Sequence, residues 1–238
     1  VTRPTWLLRP AGLVPYGPAN EAMHRLAERR LAGEVPDALV LLEHAPVYTA
    51  GRRWRPEHLV WSEDLIRRAG AELHFIDRGG SLTFHGPGQL VGYPILDLGT
   101  PDALAYVRRL EEVVIRAARD AGIALERRTD VQTGVWAGDR KVCAIGVRIM
   151  RGRVTLHGFA LNCTTDLSWY RAIVPCGLDD HGVASLSELA GREVTVAEMA
   201  PLVARRFEEV FDRRLSPAPA EEVARFPGAA PQAEAVTA

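Results

Sequence analysis

The stretch GVWAGDRKVCAIGVRIMRGRVTLHGFALN, Gly134 to Asn162, decides the fold class. From Ile123 to Asn162 the chain runs at period two, with turn signals at Gly138-Asp139 and Arg151-Gly152, so it predicts antiparallel strands joined by hairpins. Cys143 alternates with Lys141 and Ile145 along one of these strands. Outside this block the periods are mixed. Asn20 to Leu31 sets Met23, Leu26, Ala27 and Leu31 on one helical stripe that stops at Gly33, and His24 on that helix reads as a solvated surface group. Ala38-Leu39-Val40-Leu41-Leu42 has the length of a buried strand and precedes a loop with proline and arginine through Arg55. Glu63 to Arg68 predicts a short helix ending at Gly70, and Leu73 to Ile76 a strand. Leu90 to Leu98 predicts another strand, with Pro94 marking an edge or a bulge.

Thr100-Pro101 signals a helix start, and Leu104, Val107, Val114, Ile115 and Ala118 carry the stripe to Gly122. Ser185-Leu186-Ser187-Glu188 and Thr195-Val196-Ala197-Glu198 both fit capping boxes, the second opening a helix with Met199, Leu202, Val203, Val210 and Phe211. Helices and strands interleaved this irregularly, with hairpins in the middle, predict an α/β domain of the α+β type, a mixed β-sheet packed by helices. The expected division is a single domain over 1–214 and a flexible tail over 215–238, where Ala, Pro and Glu leave little to bury.

Composition narrows the functional classes. Of 238 residues 47% are apolar, enough for a substantial core, and no apolar run approaches the roughly 18 residues of a membrane span. Lys+Arg 29 against Asp+Glu 30 leaves a net charge of −1, so no global field is available to hold a nucleic acid. The three cysteines cannot form a full disulfide framework, and no C-x-x-C pair suggests zinc. With no apolar signal segment in the first residues, the expectation is a cytoplasmic protein with neither metal nor cofactor.

Lys141 is the only lysine. A bias towards arginine explains the imbalance but not the exception, which is either a chance survivor or a position that needs an amine able to lose its proton, as a guanidinium cannot. Arg78-Gly79-Gly80-Ser81-Leu82-Thr83-Phe84-His85-Gly86-Pro87-Gly88-Gln89 is either a binding loop, its glycines admitting a ligand to the backbone, or an elaborate connection in which Arg78 and His85 satisfy carbonyls. It fits neither a Walker nor a dinucleotide pattern. Cys143 and Cys163 read as structural. Cys176, in Val174-Pro175-Cys176-Gly177, sits in a turn that can hold a thiol at a defined angle. His85 and His157, each followed by glycine, are the histidines most suited to a site.

The run Arg78 to Tyr93 resembles the signature of the lipoyl(octanoyl) transferases, Arg-Gly-Gly-x-x-Thr-aromatic-His-x-x-Gly-Gln-x-aliphatic-x-Tyr, at every specified position. Gly134-Val135-Trp136 with Arg140 to Arg148, Leu156 to Asn162 with Ile173 to Gly177, and Leu41 to His44 with Tyr48 to Arg52 are similar to further segments of that family. The resemblance covers roughly Leu39 to Leu189. It implies the mixed-sheet fold of biotin and lipoate protein ligase catalytic domains. It also implies transfer of an octanoyl group from octanoyl-acyl carrier protein to a lysine amine on lipoyl domains, namely those of 2-oxoacid dehydrogenase complexes and the glycine cleavage H protein, as the first step of protein-bound lipoate synthesis. By motif, Cys176 is similar to the acyl-accepting nucleophile and Lys141 to its activating partner. Arg78, Gly79, Gly80, Ser81, Leu82, Thr83, Phe84 and His85, with Ala144, Ile145, Gly146, Gly158, Phe159 and Ala160, match the substrate-contacting stretches.

The implied chemistry is coherent. A thioester donor and an amide product allow a ping-pong route through a cysteine thioester without ATP. A thiol of pKa about 8.5 is only roughly 3% thiolate at pH 7, so it needs a neighbouring base or cation, and Lys141 can supply either. His85 falls to site shaping. Leu82, Phe84, Ile145 and Phe159 are the candidates for an apolar acyl slot. Docking of an acidic carrier points to Arg52, Arg53, Arg55, Arg148, Arg151 and Arg153. Two other readings stay open: an ATP-dependent lipoate or biotin ligase on the same fold, distinguished by an ATP requirement, and a non-catalytic acyl or lipoyl-domain binding module, which forms no covalent acyl-enzyme.

Overall fold

The computed structural model describes residues 3–100, 102–128, 133–174 and 182–228. In chain order the first half holds β1 (Arg3–Leu8), β2 (Leu13–Val14), α1 (Tyr16–Leu31), β3 (Asp37–His44), β4 (Val47–Ala50), α2 (Glu63–Arg68), β5 (Glu72–Phe75), β6 (Leu82–His85) and β7 (Gln89–Ile95). The second holds α3 (Ala103–Asp120), β8 (Glu126–Arg127), β9 (Gly134–Ala137), β10 (Arg140–Met150), β11 (Val154–Asn162), α4 (Leu186–Ala190), α5 (Val196–Phe211), β12 (Arg213–Pro217) and α6 (Ala220–Val223). The large sheet runs β12-β1-β3-β7-β11-β10-β9-β8 with β2 beside β3, and β5-β4-β6 form a second, smaller sheet. Both sheets are mixed: β1 pairs parallel with β3 and β12, β4 parallel with β5, and the long β10–β11 hairpin antiparallel.

Alternation along β3 separates the two faces of the large sheet. Leu39 and Leu41 enter the apolar layer under α3 and α5, with Leu110, Val114, Phe207 and Phe211. Ala38, Val40 and Leu42 enter the layer under α1, with Met23, Leu26 and Leu156. A strand covered on both faces must be apolar throughout, which is why Ala38 to Leu42 reads as a continuous run. A third cluster, with Tyr48, Leu82, Phe84, Ile66 and Tyr170, fills the space between the small sheet and its flanking turns. Ser185 and Thr195 cap α4 and α5 by accepting from the Glu188 and Glu198 amides.

Three expectations change. Pro94 lies in a central strand rather than at an edge: β7 pairs with β3 through Pro94, whereas its pairing with β11 ends at Gly92, so the missing N–H interrupts no ladder bond on that side. The long helix begins at Ala103 with the Asp102 carboxylate capping the Ala105 amide, and Pro101 lies outside the described residues. The stretch after Leu215 is packed as far as Phe226. β12 closes the sheet against β1, Phe226 is buried in the α1 layer, and Glu222 binds Arg29 at 2.8 Å. Asp37 anchors this end, accepting from Arg30, from Arg213 and from the Asp97 amide. Residues 229–238 lie outside the described residues.

Candidate active site

A cavity opens where the three apolar clusters meet, walled by Val107, Ile145 and Phe159 from the first, Tyr93 and Ala160 from the second, and Leu82 from the third. Its volume is about 140 Å3. That is the scale of a dry apolar cavity, roughly 150 Å3, that takes up a small hydrocarbon, so one unbranched alkyl chain suits it. Every substrate-contacting residue expected from the sequence lines it except Phe84. Phe84 is the exception because its ring turns into the third cluster and stacks on Trp169 at 5.2 Å, whereas Leu82, Thr83 and His85 of the same strand line the cavity. Of the four residues proposed for the acyl slot, Leu82, Ile145 and Phe159 line this cavity and Phe84 does not.

The glycine-rich segment is both a connection and a cavity wall. Arg78 Nη2 donates to the Thr49 carbonyl at 2.6 Å and to Thr49 Oγ1 at 2.9 Å, and Nη1 donates to the Gly79 carbonyl at 2.9 Å. Thr49 Oγ1 in turn donates to His85 Nε2 at 3.4 Å, and His85 Nδ1 donates to Gln89 Oε1 at 2.8 Å. Gln89 Nε2 then donates to Asn162 Oδ1, and Asn162 Nδ2 to the Ala184 carbonyl. With both nitrogens engaged and the ring buried, His85 is held neutral, its pKa pushed down by desolvation to about 3. This suits shaping the wall and not proton abstraction at neutral pH. The loop approaches β10 so closely that a Cβ at Gly146 would stand 2.8 Å from the Gly79 carbonyl oxygen.

Lys141 is 6% exposed, and a bulge explains where it points. The β9–β10 register slips between Lys141 and Cys143, a device that re-aims a side chain. The Lys141 stem runs back along β9: Nζ stands 4.7 Å from the centre of the Trp136 ring, and a Cβ at Gly134 would lie 3.2 Å from its Cε. Gly134 is opposite Ala144 and next to Thr133, both of which line the cavity, so the lysine stem packs against a residue that adjoins the cavity wall. The Gly134 amide is fixed in turn by buried Glu111, which also accepts from Arg108 and Arg127 at 2.8 Å.

Cys176 lies outside the described residues, in the segment 175–181 whose flanks are both fixed. On one side the Val174 amide donates to the His58 carbonyl, and His58 Nδ1 accepts from the hydroxyl of cavity-lining Ser81 at 2.7 Å. On the other, the Lys141 amide donates to Gly182 O and the Ala184 amide to Lys141 O. Cys143 and Cys163 are buried and free. Desolvation pushes the Cys143 thiol well above its usual range and that of Cys163 to about 12, which suits structural roles.

Sequence reasoning missed Tyr16, Val107 and Thr133 in the cavity wall, and Thr49 as the hinge between Arg78 and His85. Thr49 stands in the Tyr48 to Arg52 segment singled out by resemblance, a usable signal. His24 is half-buried rather than solvated, its ring edge-on to His157 at 6.1 Å. Among the described residues no helix is long and apolar enough to cross a membrane.

A mixed sheet carrying an alkyl-sized cavity, with a buried lysine packed beside its wall, defines the class, and residues 15–208 match the lipoyl protein ligase A/B catalytic domain. The chain belongs to that family. It is 50% identical over 202 residues to the "Octanoyltransferase" of Rubrobacter xylanophilus, covering 84% of this chain and 90% of the relative. It is 44% identical over 219 residues to the "Putative lipoyltransferase 2, mitochondrial" of Drosophila melanogaster, covering 90% and 92%. Among solved structures, lipoate-protein ligase A bound with ATP superimposes with a TM-score of 0.72 at 19% identity, covering 94% of this chain and 92% of that one. At that identity the likeness speaks for the fold alone.

Proposed function

We propose that the chain is an octanoyltransferase that moves an octanoyl group from octanoyl-acyl carrier protein to a lysine amine of lipoyl domains, through a thioester on Cys176. The observation that carries the reading is the buried Lys141 side chain packed beside the wall of an alkyl-sized cavity. The names of its relatives support the acyl group. In the first half-reaction Lys141 accepts the Cys176 thiol proton. The thiolate attacks the carrier thioester, and the carrier leaves as a thiol that takes the proton back. In the second, a lipoyl-domain lysine attacks the acyl-enzyme. An amide forms, the amine proton passes to Lys141, and Cys176 is regenerated. The apolar wall at Ile145, Phe159 and Leu82 holds the alkyl chain and excludes water from the thioester.

The carrier docks where basic side chains lack internal partners. Arg148, Arg153 and Arg55 pair with Asp77, Asp97 and Glu57. Exposed Arg52, Arg53 and Arg151 have no carboxylate partner among the described residues, and Arg53 lines the cavity, so Arg53 with its neighbour Arg52 is the strongest docking candidate. The test is to mix the chain, octanoyl-acyl carrier protein and an unmodified lipoyl domain in the absence of ATP. The expected product is the octanoyl amide on the domain's lysine. A strict ATP requirement would move the assignment to the ligase reading.

A further inference from the structure

The acyl-transfer scheme leaves one set of ligand-bearing side chains unused. His24 on α1, Asp77 after β5 and His157 on β11 each offer one ligand atom, all within 4.8 Å of one another. We propose that these three residues form a divalent-cation site suited to Zn2+, beside the cavity whose wall His157 shares. Two imidazoles and a carboxylate are a borderline-soft donor set that Zn2+ accepts readily, with a further position left for water. No sequence motif announces it, because the ligands come from three distant elements.

The cluster is preorganised at a cost. His157 adopts φ 58°, the left-handed region, in the middle of a strand, a strained conformation for a non-glycine residue. Its N–H donates to Met23 Sδ on α1, and its Nε2 meets Asp77 Oδ1 at 2.9 Å. The strained backbone thus aims a 2% exposed imidazole at the other two ligands. Arg148 holds Asp77 Oδ2 and fixes the carboxylate from behind, the part that an outer-shell partner plays at metal sites. Metal binding exchanges the His157–Asp77 hydrogen bond for two bonds to the ion, with the imidazole proton on Nδ1.

Access and a neighbouring acceptor point the same way. Asn20, one turn before His24, lines with His24, Arg52, Phe75, Ile76 and Asp77 an open depression that leads to the cluster. The Asn20 Oδ1 atom is buried and has no hydrogen-bond partner among the described residues, an unsatisfied acceptor one helical turn from His24. Glu28 adds negative charge near His24, whereas Arg148 and Arg78 oppose a dication. Affinity therefore falls below that of a closed four-ligand structural site.

The test uses the full chain, stripped with a chelator and titrated with Zn2+ or Co2+ alone. The proposal expects one Zn2+ per chain retained through gel filtration. With Co2+ it expects visible ligand-field bands without a thiolate-to-cobalt band, unchanged in Cys176→Ser. His24→Ala and the more conservative His24→Gln should each weaken binding by more than about tenfold, with metal-free melting temperatures near wild type showing that the fold survives. No retained metal in the wild type would leave the cluster as a clamp on the Arg78 loop and overturn the proposal. So would a thiolate band lost in Cys176→Ser, or binding undiminished in both His24 variants.

Discussion

Lys141→Arg is expected to slow both half-reactions by roughly a hundred- to ten-thousandfold, the range that a positioned acid–base group contributes. A pure counter-ion could be replaced, because guanidinium carries the same charge. A proton shuttle cannot, because guanidinium does not deprotonate near neutral pH. Geometry adds a second obstacle. The lysine stem is confined between the Trp136 ring and Gly134, and buried Glu111 pins the Gly134 amide, so the longer, planar head has no room to swing clear. Single-turnover rates for acylation of the enzyme and for transfer to an amine separate the two steps. If Lys141 serves as the base, Lys141→Met should recover acylation as pH rises towards the ordinary thiol range of about 8.5, where the thiolate forms unaided. Near wild-type rates for Lys141→Arg in both steps would reduce the only lysine to a counter-ion.

Acidification is expected to unfold the protein cooperatively with a midpoint between about pH 4 and 5. His44, His85 and His157 are buried neutral, their pKa values pushed by desolvation to about 4, 3 and 3. His44 is held at both nitrogens, donating from Nδ1 to the Val14 carbonyl and accepting at Nε2 from the Tyr93 hydroxyl at 2.7 Å. The sign follows from linkage. Each group binds its proton more readily in the unfolded chain, so its stabilisation is complete above the unfolded value of about 6.5 and is lost as pH falls towards the folded values. Each contributes a slope of about 1.4 kcal/mol per pH unit in that window, and the three together about 4. Two units of acidification then remove about 8 kcal/mol, comparable to the whole stability of a typical domain, about 5–15 kcal/mol. Circular dichroism locates the midpoint, and NMR should show these three imidazoles keeping neutral-form shifts until unfolding. A native signal persisting at pH 3.5, or titration of His85 near pH 6.5 in the folded protein, would contradict it.

Legibility in the sequence followed the strength of local pattern. The β10–β11 hairpin was readable because Lys141, Cys143 and Ile145 alternate between bracketing turn signals, and the structure keeps that hairpin with the Arg151-Gly152 turn between its strands. The bulge at Lys141 was not readable, since a one-residue slip leaves composition unchanged while altering where the lysine points. β1 and β12 escaped for another reason. Arg3–Leu8 and Arg213–Pro217 meet from opposite ends of the chain in a parallel pair with little burial, which neither segment signals alone. Around the cavity, the Arg78 to Tyr93 motif identified the wall but not which face each residue takes. Phe84 lies inside the motif and outside the cavity because its ring packs into the third cluster against Trp169. The His24–Asp77–His157 cluster shows the same limit from the other side, its members set together only by packing α1 against β11.

The central claim is that the acyl group passes through Cys176. The most direct measurement is the intact mass of the protein after incubation with octanoyl-acyl carrier protein in ATP-free buffer, followed by peptide mapping. The account predicts a gain of one octanoyl group, located on Cys176, labile to hydroxylamine and absent from Cys176→Ala, with the buried Cys143 and Cys163 unmodified. Acylation that persists in Cys176→Ala, or an unmodified wild-type enzyme that still delivers octanoyl to a lipoyl domain, would contradict it.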